Sequence, residues 1–291
     1  MNRRAQGKGL PFVKMQGLGN DFVILDGRKK PLDLPDDAAR AISDRHLGVG
    51  CDQVITLQPS DRADVFMRIQ NADGSEAGAC GNVTRCVAKI LMAETGKRSA
   101  TIETLFDVLK VKASKGGEVA VDMGVPRLDW NEIPLARRMD TAKLDLSATF
   151  RNGRKVSGPV GVNIGNPHAV FFVKDVESLD IAEVGPGLEH DPLFPERANI
   201  SFAEVTGPAS IRLRVWERGA GITMACGSAA CATIVAAKRK DLVDGPADIQ
   251  LDGGVLHLDW RDDGHVIMTG PAEESFHGTL DLAALARGHA A

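Results

Sequence analysis

The chain carries the same cysteine-bearing helix start twice, and that repetition limits its possible folds more than any other feature. The stretch "EAGACGNVTRCVAKIL" (76–91) sets Cys80 before a glycine and an apolar-periodic run; "GITMACGSAACATIVAA" (221–237) does the same with Cys226. The two cysteines lie 146 positions apart, close to half of the 291 residues. At that offset Gly19-Asn20 falls on Gly165-Asn166, Gln53 on Asn199, Arg68 on Arg214, Asn71 on Glu217 and Gly81 on Gly227. Several polar landmarks at one ungapped spacing point to tandem duplication. Two similar halves facing each other would place one cysteine on each wall of a single cleft.

Local patterns repeat in the same order. "FVILDG" (22–27) and "AVFFVKD" (169–175) are β-rich runs after a Gly-Asn turn, and "VFMRIQ" and "IRLRVW" alternate as half-buried strands do. Beyond Cys80, apolar residues at Val83, Cys86, Val87, Ile90 and Leu91 mark one helix face, with Gly96 as its stop. Beyond Cys226 the run is apolar almost all round, which predicts a helix enclosed by protein. "TIETLFDVLKVKAS", "EVAVDMG", "IQLDGGVLHLDW" and "HVIMTG" all read as strand-like. The expected class is α+β: two pseudo-symmetric halves, each a curved mixed β-sheet or barrel wrapped around a central helix. Gly and Pro interrupt the strand pattern in "DMGVPRLDWNEIP" (122–134). The expected division is a loose tail over 1–9, one half over 10–125 completed by 273–291, and the other over 126–272.

With 43% hydrophobic and 25% charged residues a buried core is expected, and a net charge of -4 gives no reason to expect a nucleic-acid partner. The basic run Lys238-Arg239-Lys240 reads as cations on a last helical turn. No apolar run approaches a membrane span, and no signal-peptide core follows the basic N-terminus, so a cytoplasmic location is expected. The cysteines are Cys51, Cys80, Cys86, Cys226 and Cys231; the odd number without Cys-x2-Cys spacing suggests free thiols and no metal site. Cys51, Cys86 and Cys231 read as small buried hydrophobes. "GLGN" lacks the spacing of a dinucleotide fingerprint, and His46 reads as a loop residue.

A cysteine at a helix N-terminus sits beside partial positive charge and unpaired N–H groups, which favour a thiolate and can hold a carboxylate. Two such units suit inversion of a carbon next to a carboxylate: one sulfur removes the α-proton, and the other returns a proton to the opposite face.

The successive stretches "GLGNDFVILD", "GCDQVI", "NADGSE..ACGN..RC", "NIGNPHAVFFV", "ANISF" and "WERGAG.T.ACG" resemble the signatures of diaminopimelate epimerase over roughly residues 12–280. The resemblance implies a cofactor-independent isomerase acting on LL- and meso-diaminopimelate in lysine and peptidoglycan precursor synthesis, as a homodimer. It implies Cys80 and Cys226 as acid/base residues, His168 and Glu217 as tuners of their pKa values, and a substrate pocket of Asn20, Gln53, Asn71, Asn166, Asn199, Glu217 and Arg218. The Gly81-Asn82 and Gly227-Ser228 backbones would hold the reacting carboxylate. The chain departs from the family at Gly78, Val83 and Thr84, and has no tyrosine. Phe276 stands where the family often places tyrosine near its dimer contact.

Three other readings fit part of this pattern. A proline or 4-hydroxyproline racemase of the same architecture has a substrate with one carboxylate, leaving Arg218 without a purpose. A non-catalytic binding homologue would not need both cysteines. A Cys-His hydrolase built on Cys80 and His168 would use only one of them.

Overall fold

A computed structural model describes residues 9–78, 80–282 and 284–285; the expected tail over 1–9 lies, apart from Gly9, outside the described residues, as does the end of the 273–291 segment. In chain order the elements are β1 (Leu10–Gly17), β2 (Asn20–Asp26), α1 (Asp36–Ser43), β3 (Gln53–Gln58), β4 (Val65–Asn71), β5 (Glu76–Ala77), α2 (Gly81–Thr95), β6 (Ser99–Glu103), β7 (Val108–Ala113) and β8 (Val119–Asp122). Then follow β9 (Ser147–Thr149), β10 (Lys155–Ser157), β11 (Val160–Asn163), β12 (Pro167–Phe172), α3 (Ile181–Glu189), β13 (Asn199–Gly207), β14 (Ser210–Glu217) and β15 (Gly221–Ile222). The chain continues with α4 (Gly227–Arg239), β16 (Ala247–Leu251), β17 (Gly254–Trp260), β18 (Val266–Gly270) and β19 (Glu273–Leu280). These form two compact units, Met1–Val119 with Pro271–Ala291, and Ala120–Gly270.

In the first unit β19, β1, β2, β3 and β4 pair in that order, with β5 and β6 on β4 and β7 on β6. Two pairs are parallel, β2 with β3 and β4 with β6, and each needs a helical crossover. α1 makes the first and packs on β3 and β4; α2 makes the second and packs on β1, β6 and β7. α2 begins where Cys80 is extended (φ -149°, ψ 113°) and ends at Gly96, whose left-handed φ of 69° lets its N–H reach Met92 O (3.0 Å). Around α1 a core gathers Phe12, Val23, Leu25, Leu34, Ile42, Cys51 and Val54.

The second unit repeats this order, with the same register from β12 to β14. β12 runs parallel to β13 with His168 opposite Asn199, as β2 runs parallel to β3 with Phe22 opposite Gln53. Ile200 faces Trp216 as Val54 faces Gln70. The central helix α4 touches β11, β12, β13, β14, β16, β17 and β18. Its residues Ala229 to Ala237 are all buried, and the alanines among them let strands approach closely while keeping high helix propensity. Lys238 Nζ donates to Trp260 O (2.7 Å), and Arg239 donates to Gly161 O (3.1 Å) and Thr141 Oγ1 (2.9 Å). The basic run therefore ties the helix end to its sheet as well as complementing the dipole.

One strand-like run breaks in two. Within "TIETLFDVLKVKAS" the Thr104 N–H and Oγ1 both donate to Asp107 O, so a turn separates β6 from β7. Phe106 from that turn lies on Gly78, where a Cβ would fall 1.9 Å from its ring. That contact accounts for glycine at 78. Among the described residues no helix is long and apolar enough to cross a membrane.

Candidate active site

In the first unit the turn between β1 and β2 puts Leu18 and Gly19 in the left-handed region (φ 57° and 83°) and delivers Asn20. Asn20 Oδ1 accepts from Asn82 Nδ2 (3.3 Å) and lies 3.8 Å from Cys80 Sγ. Asn20 Nδ2 donates to Asp52 Oδ2 (2.7 Å). The β3–β4 register sets Gln53 against Asn71, and Gln53 Nε2 donates to Asn71 Oδ1 (2.9 Å). Gln53 Oε1 is buried without a hydrogen-bond partner. Cys80 precedes Gly81 as the N-cap of α2; its side chain does not cap the helix, and no acidic residue occupies the first turn.

The second unit brings Glu217, Cys226 and Ser228 together. Cys226 Sγ is 3.5 Å from Ser228 Oγ, it bonds the Glu217 side chain, and Glu217 also accepts from Thr223 Oγ1. Cys226 is likewise an uncapping N-cap, preceding Gly227 in α4. His168 is wholly buried, with Nε2 2.7 Å from Asn166 Oδ1 and Nδ1 without a hydrogen-bond partner. Asn199 uses its amide on the backbone, donating to Pro167 O (3.3 Å) and accepting from Arg218 N (2.9 Å). The exposed Arg218 side chain donates to Glu196 O (2.9 Å).

Electrostatics correct one sequence expectation. A helix N-terminus alone favours the thiolate, but burial pushes the Cys226 thiol well up, and the Glu217 carboxylate pushes it further. Desolvation outweighs the partial charge of the helix end. Burial, then the Arg218 charge, pushes His168 down to about 3, so its imidazole is neutral. Cys51 and Cys86 are buried and raised by desolvation, Cys86 to about 12, and Cys231 is buried inside α4.

Sequence reasoning passed over Asp52, Arg85, Glu189 and Thr223. Arg85 sits one turn after Asn82 on a face otherwise apolar, and Asp52 adjoins Gln53; those placements were the available signals. Glu189, 3% exposed, accepts from Trp216 Nε1 (2.8 Å) and Gly219 N (2.9 Å), and so holds the turn that carries Glu217 and Arg218. Nothing in the local sequence marks it.

The family model described as diaminopimelate epimerase matches residues 12–128 and 160–274. A diaminopimelate epimerase of Acidiphilium cryptum is 55% identical over 276 residues, covering 95% of this chain and 98% of that protein. One from Rhodospirillum centenum is 54% identical over 275 residues, covering 92% and 91%. Among solved structures, a hydroxyproline epimerase from Agrobacterium vitis with bound trans-4-hydroxy-L-proline has the same fold, with TM-score 0.67, 13% identity and coverage of 94% and 91%. A fold of duplicated β-α units, matched along nearly its whole length at more than half identity, places this chain in the diaminopimelate epimerase family.

Proposed function

We propose that the protein is an isomerase that interconverts LL- and meso-2,6-diaminopimelate by two-base proton transfer between Cys80 and Cys226. The observation that carries this reading is the duplicated helix start: each half ends a strand–turn segment in a cysteine N-cap that leaves its helix N-terminus without a side-chain cap or an acidic residue. Such an end suits a carboxylate, held by the N–H groups of Gly81-Asn82 in one half and of Gly227-Ser228 in the other.

In one direction the Cys226 thiol passes its proton to the Glu217 carboxylate in contact with it, and the thiolate takes the substrate α-proton. As the carbanion forms, charge spreads into the carboxylate, where the backbone N–H groups stabilise it. The Cys80 thiol then gives its proton to the opposite face, leaving Cys80 as thiolate and the carbon inverted. The reverse direction exchanges the roles. Neutral His168 fixes Asn166 through Nε2 and adds no charge beside the sulfurs. Gln53 Oε1, buried and unpartnered, suits a substrate ammonium group, as do Asn71 and Glu217. Asn20, Asn166 and Asn199 line the substrate, and Arg218 suits its distant carboxylate, which a guanidinium grips as a fork. The chemistry on these residues calls on no cofactor. We place the reaction in the cytoplasm, in lysine and peptidoglycan precursor synthesis, and the protein in a homodimer.

The test is proton NMR of LL-diaminopimelate with reduced protein in D2O, without pyridoxal phosphate. Loss of the α-proton signal with appearance of the meso isomer is expected, and Arg218→Ala should abolish turnover while folding normally. Absence of exchange from folded, reduced protein, or an unimpaired Arg218→Ala, refutes the assignment.

A further inference from the structure

Within the first unit, four side chains form a hydrogen-bond chain whose direction is fixed at both ends. Arg85, fully buried on α2, donates from Nη2 to Asn82 Oδ1 (3.1 Å) and is itself held by Pro271 O on Nε (3.0 Å). Asn82 Nδ2 donates to Asn20 Oδ1 (3.3 Å), and Asn20 Nδ2 donates to Asp52 Oδ2 (2.7 Å). A guanidinium can only donate and a carboxylate can only accept. The two amides between them therefore point one way: the Asn20 oxygen, not its nitrogen, meets Cys80 Sγ at 3.8 Å. An amide oxygen can accept from S–H, but it repels a thiolate.

We propose that Asp52 and Arg85 are positioning residues that lock the Asn20 amide with its oxygen on Cys80, so that this amide favours the Cys80 thiol over its thiolate. The inference rests on the reading of Cys80 and Cys226 as the acid/base pair, and it names the residues that act on one of them through Asn20. The duplication makes the point sharper. At the positions equivalent to Asp52, Asn82 and Arg85 the second half has Ala198, Ser228 and Cys231. There Asn166 is held by His168 on Oδ1, and Glu217 is the side chain that neighbours Cys226. The two sulfurs, in copies of one scaffold, are thus attended by different groups.

The charged groups in contact with this hydrogen-bond chain are Arg45, which donates to Asp52 Oδ1 (2.7 Å), and Asp21, which pairs with Arg45 and with Lys14 of β1. Cys86, farther along α2, is pushed up to about 12 by burial.

The experiment measures the pH midpoint of iodoacetamide alkylation at Cys80 by peptide mass mapping of the reduced, folded protein. With either end in place the Asn20 amide keeps its direction, because Asn82 still donates to its oxygen or Asp52 still accepts from its nitrogen. The double variant Asp52→Leu, Arg85→Leu removes one negative and one positive charge and frees the amide to turn an N–H to the sulfur. The Cys80 midpoint should fall by about one pH unit, the size of one exchanged hydrogen bond, while that of Cys226 stays put. Asn20→Leu, which removes the oxygen and keeps both ends, should move it in the same direction and provides a second variant. In an Asn20→Leu background the double substitution should have no further effect. An unmoved midpoint in both the double variant and Asn20→Leu overturns the proposal; so does a shift from the double substitution that persists undiminished with Leu at 20. Turnover by Cys80→Ser would instead sink the acid/base reading, whatever the alkylation midpoints show.

Discussion

Replacing Gly185 by alanine should destabilise the second unit even though it improves the helix that contains it. Within a helix alanine is favoured over glycine by about 1 kcal/mol. Against that, a Cβ at 185 falls 2.5 Å from Trp216 Cδ2 and 2.6 Å from Cγ, where carbon atoms in contact rest about 3.5–4.0 Å apart. The indole has to move by about 1 Å. It cannot do so freely, because Trp216 Nε1 is bonded to the buried Glu189 at 2.8 Å. Overpacking costs about 1–3 kcal/mol, and a strained bond to a charged acceptor forfeits part of about 1.5–3 kcal/mol. The net expectation is a loss of about 1–3 kcal/mol. Gly187, in the same helix, has nothing within 4 Å of a built Cβ, so Gly187→Ala should instead gain about 0.5 kcal/mol. Urea unfolding followed by tryptophan fluorescence separates the two, because Trp130, Trp216 and Trp260 all belong to the second unit. A Gly185→Ala protein as stable as its parent refutes a pinned Trp216. Equal losses at 185 and 187 would locate the cost in the backbone instead.

Three further outcomes follow from the charges. His168 is held down to about 3, against an ordinary 6.5, so between those values the unfolded chain binds the extra proton and stability falls as pH drops. His168→Phe, which restores the residue found at the equivalent Phe22, should flatten that fall by about 1.4 kcal/mol per pH unit; an unchanged slope in urea midpoints against pH excludes it. Glu217→Gln removes the carboxylate that pushes Cys226 up, so the alkylation midpoint of Cys226 should fall, and a rise would show that Glu217 acts otherwise. Burial pushes Asp21 up, but hydrogen bonds from Arg45 and Lys14 outweigh it and hold the carboxyl at about 2; the stability this contributes is present above 3.8 and lost as pH falls toward 2. Lys14→Met should raise the Asp21 titration seen by carbon-detected NMR and cost about 2–4 kcal/mol, and an unmoved titration would count against the pair.

What the sequence determined by itself is periodic or repeated. Helix and strand spacing depends on near neighbours, so the amphipathic run after Cys80 and the run after Cys226, apolar almost all round, were legible as helices, and Gly96 as a stop. The 146-residue offset exposed the duplication, because equivalent strand registers demand equivalent spacing: Phe22 opposite Gln53 reappears as His168 opposite Asn199. Composition at the helix starts also marked the cysteines. Tertiary structure alone decided what surrounds them. Desolvation depends on which strands close over a sulfur, so the helix-end argument had the wrong sign for Cys226. The direction of the Asn20 amide depends on Asp52, which it touches, and on Arg85, which acts through Asn82; they lie 32 and 65 positions away in the chain, and only folding assembles them. Glu189 became part of the site's support because α3 packs its last turn against Trp216, a contact between residues 27 apart that no local pattern encodes.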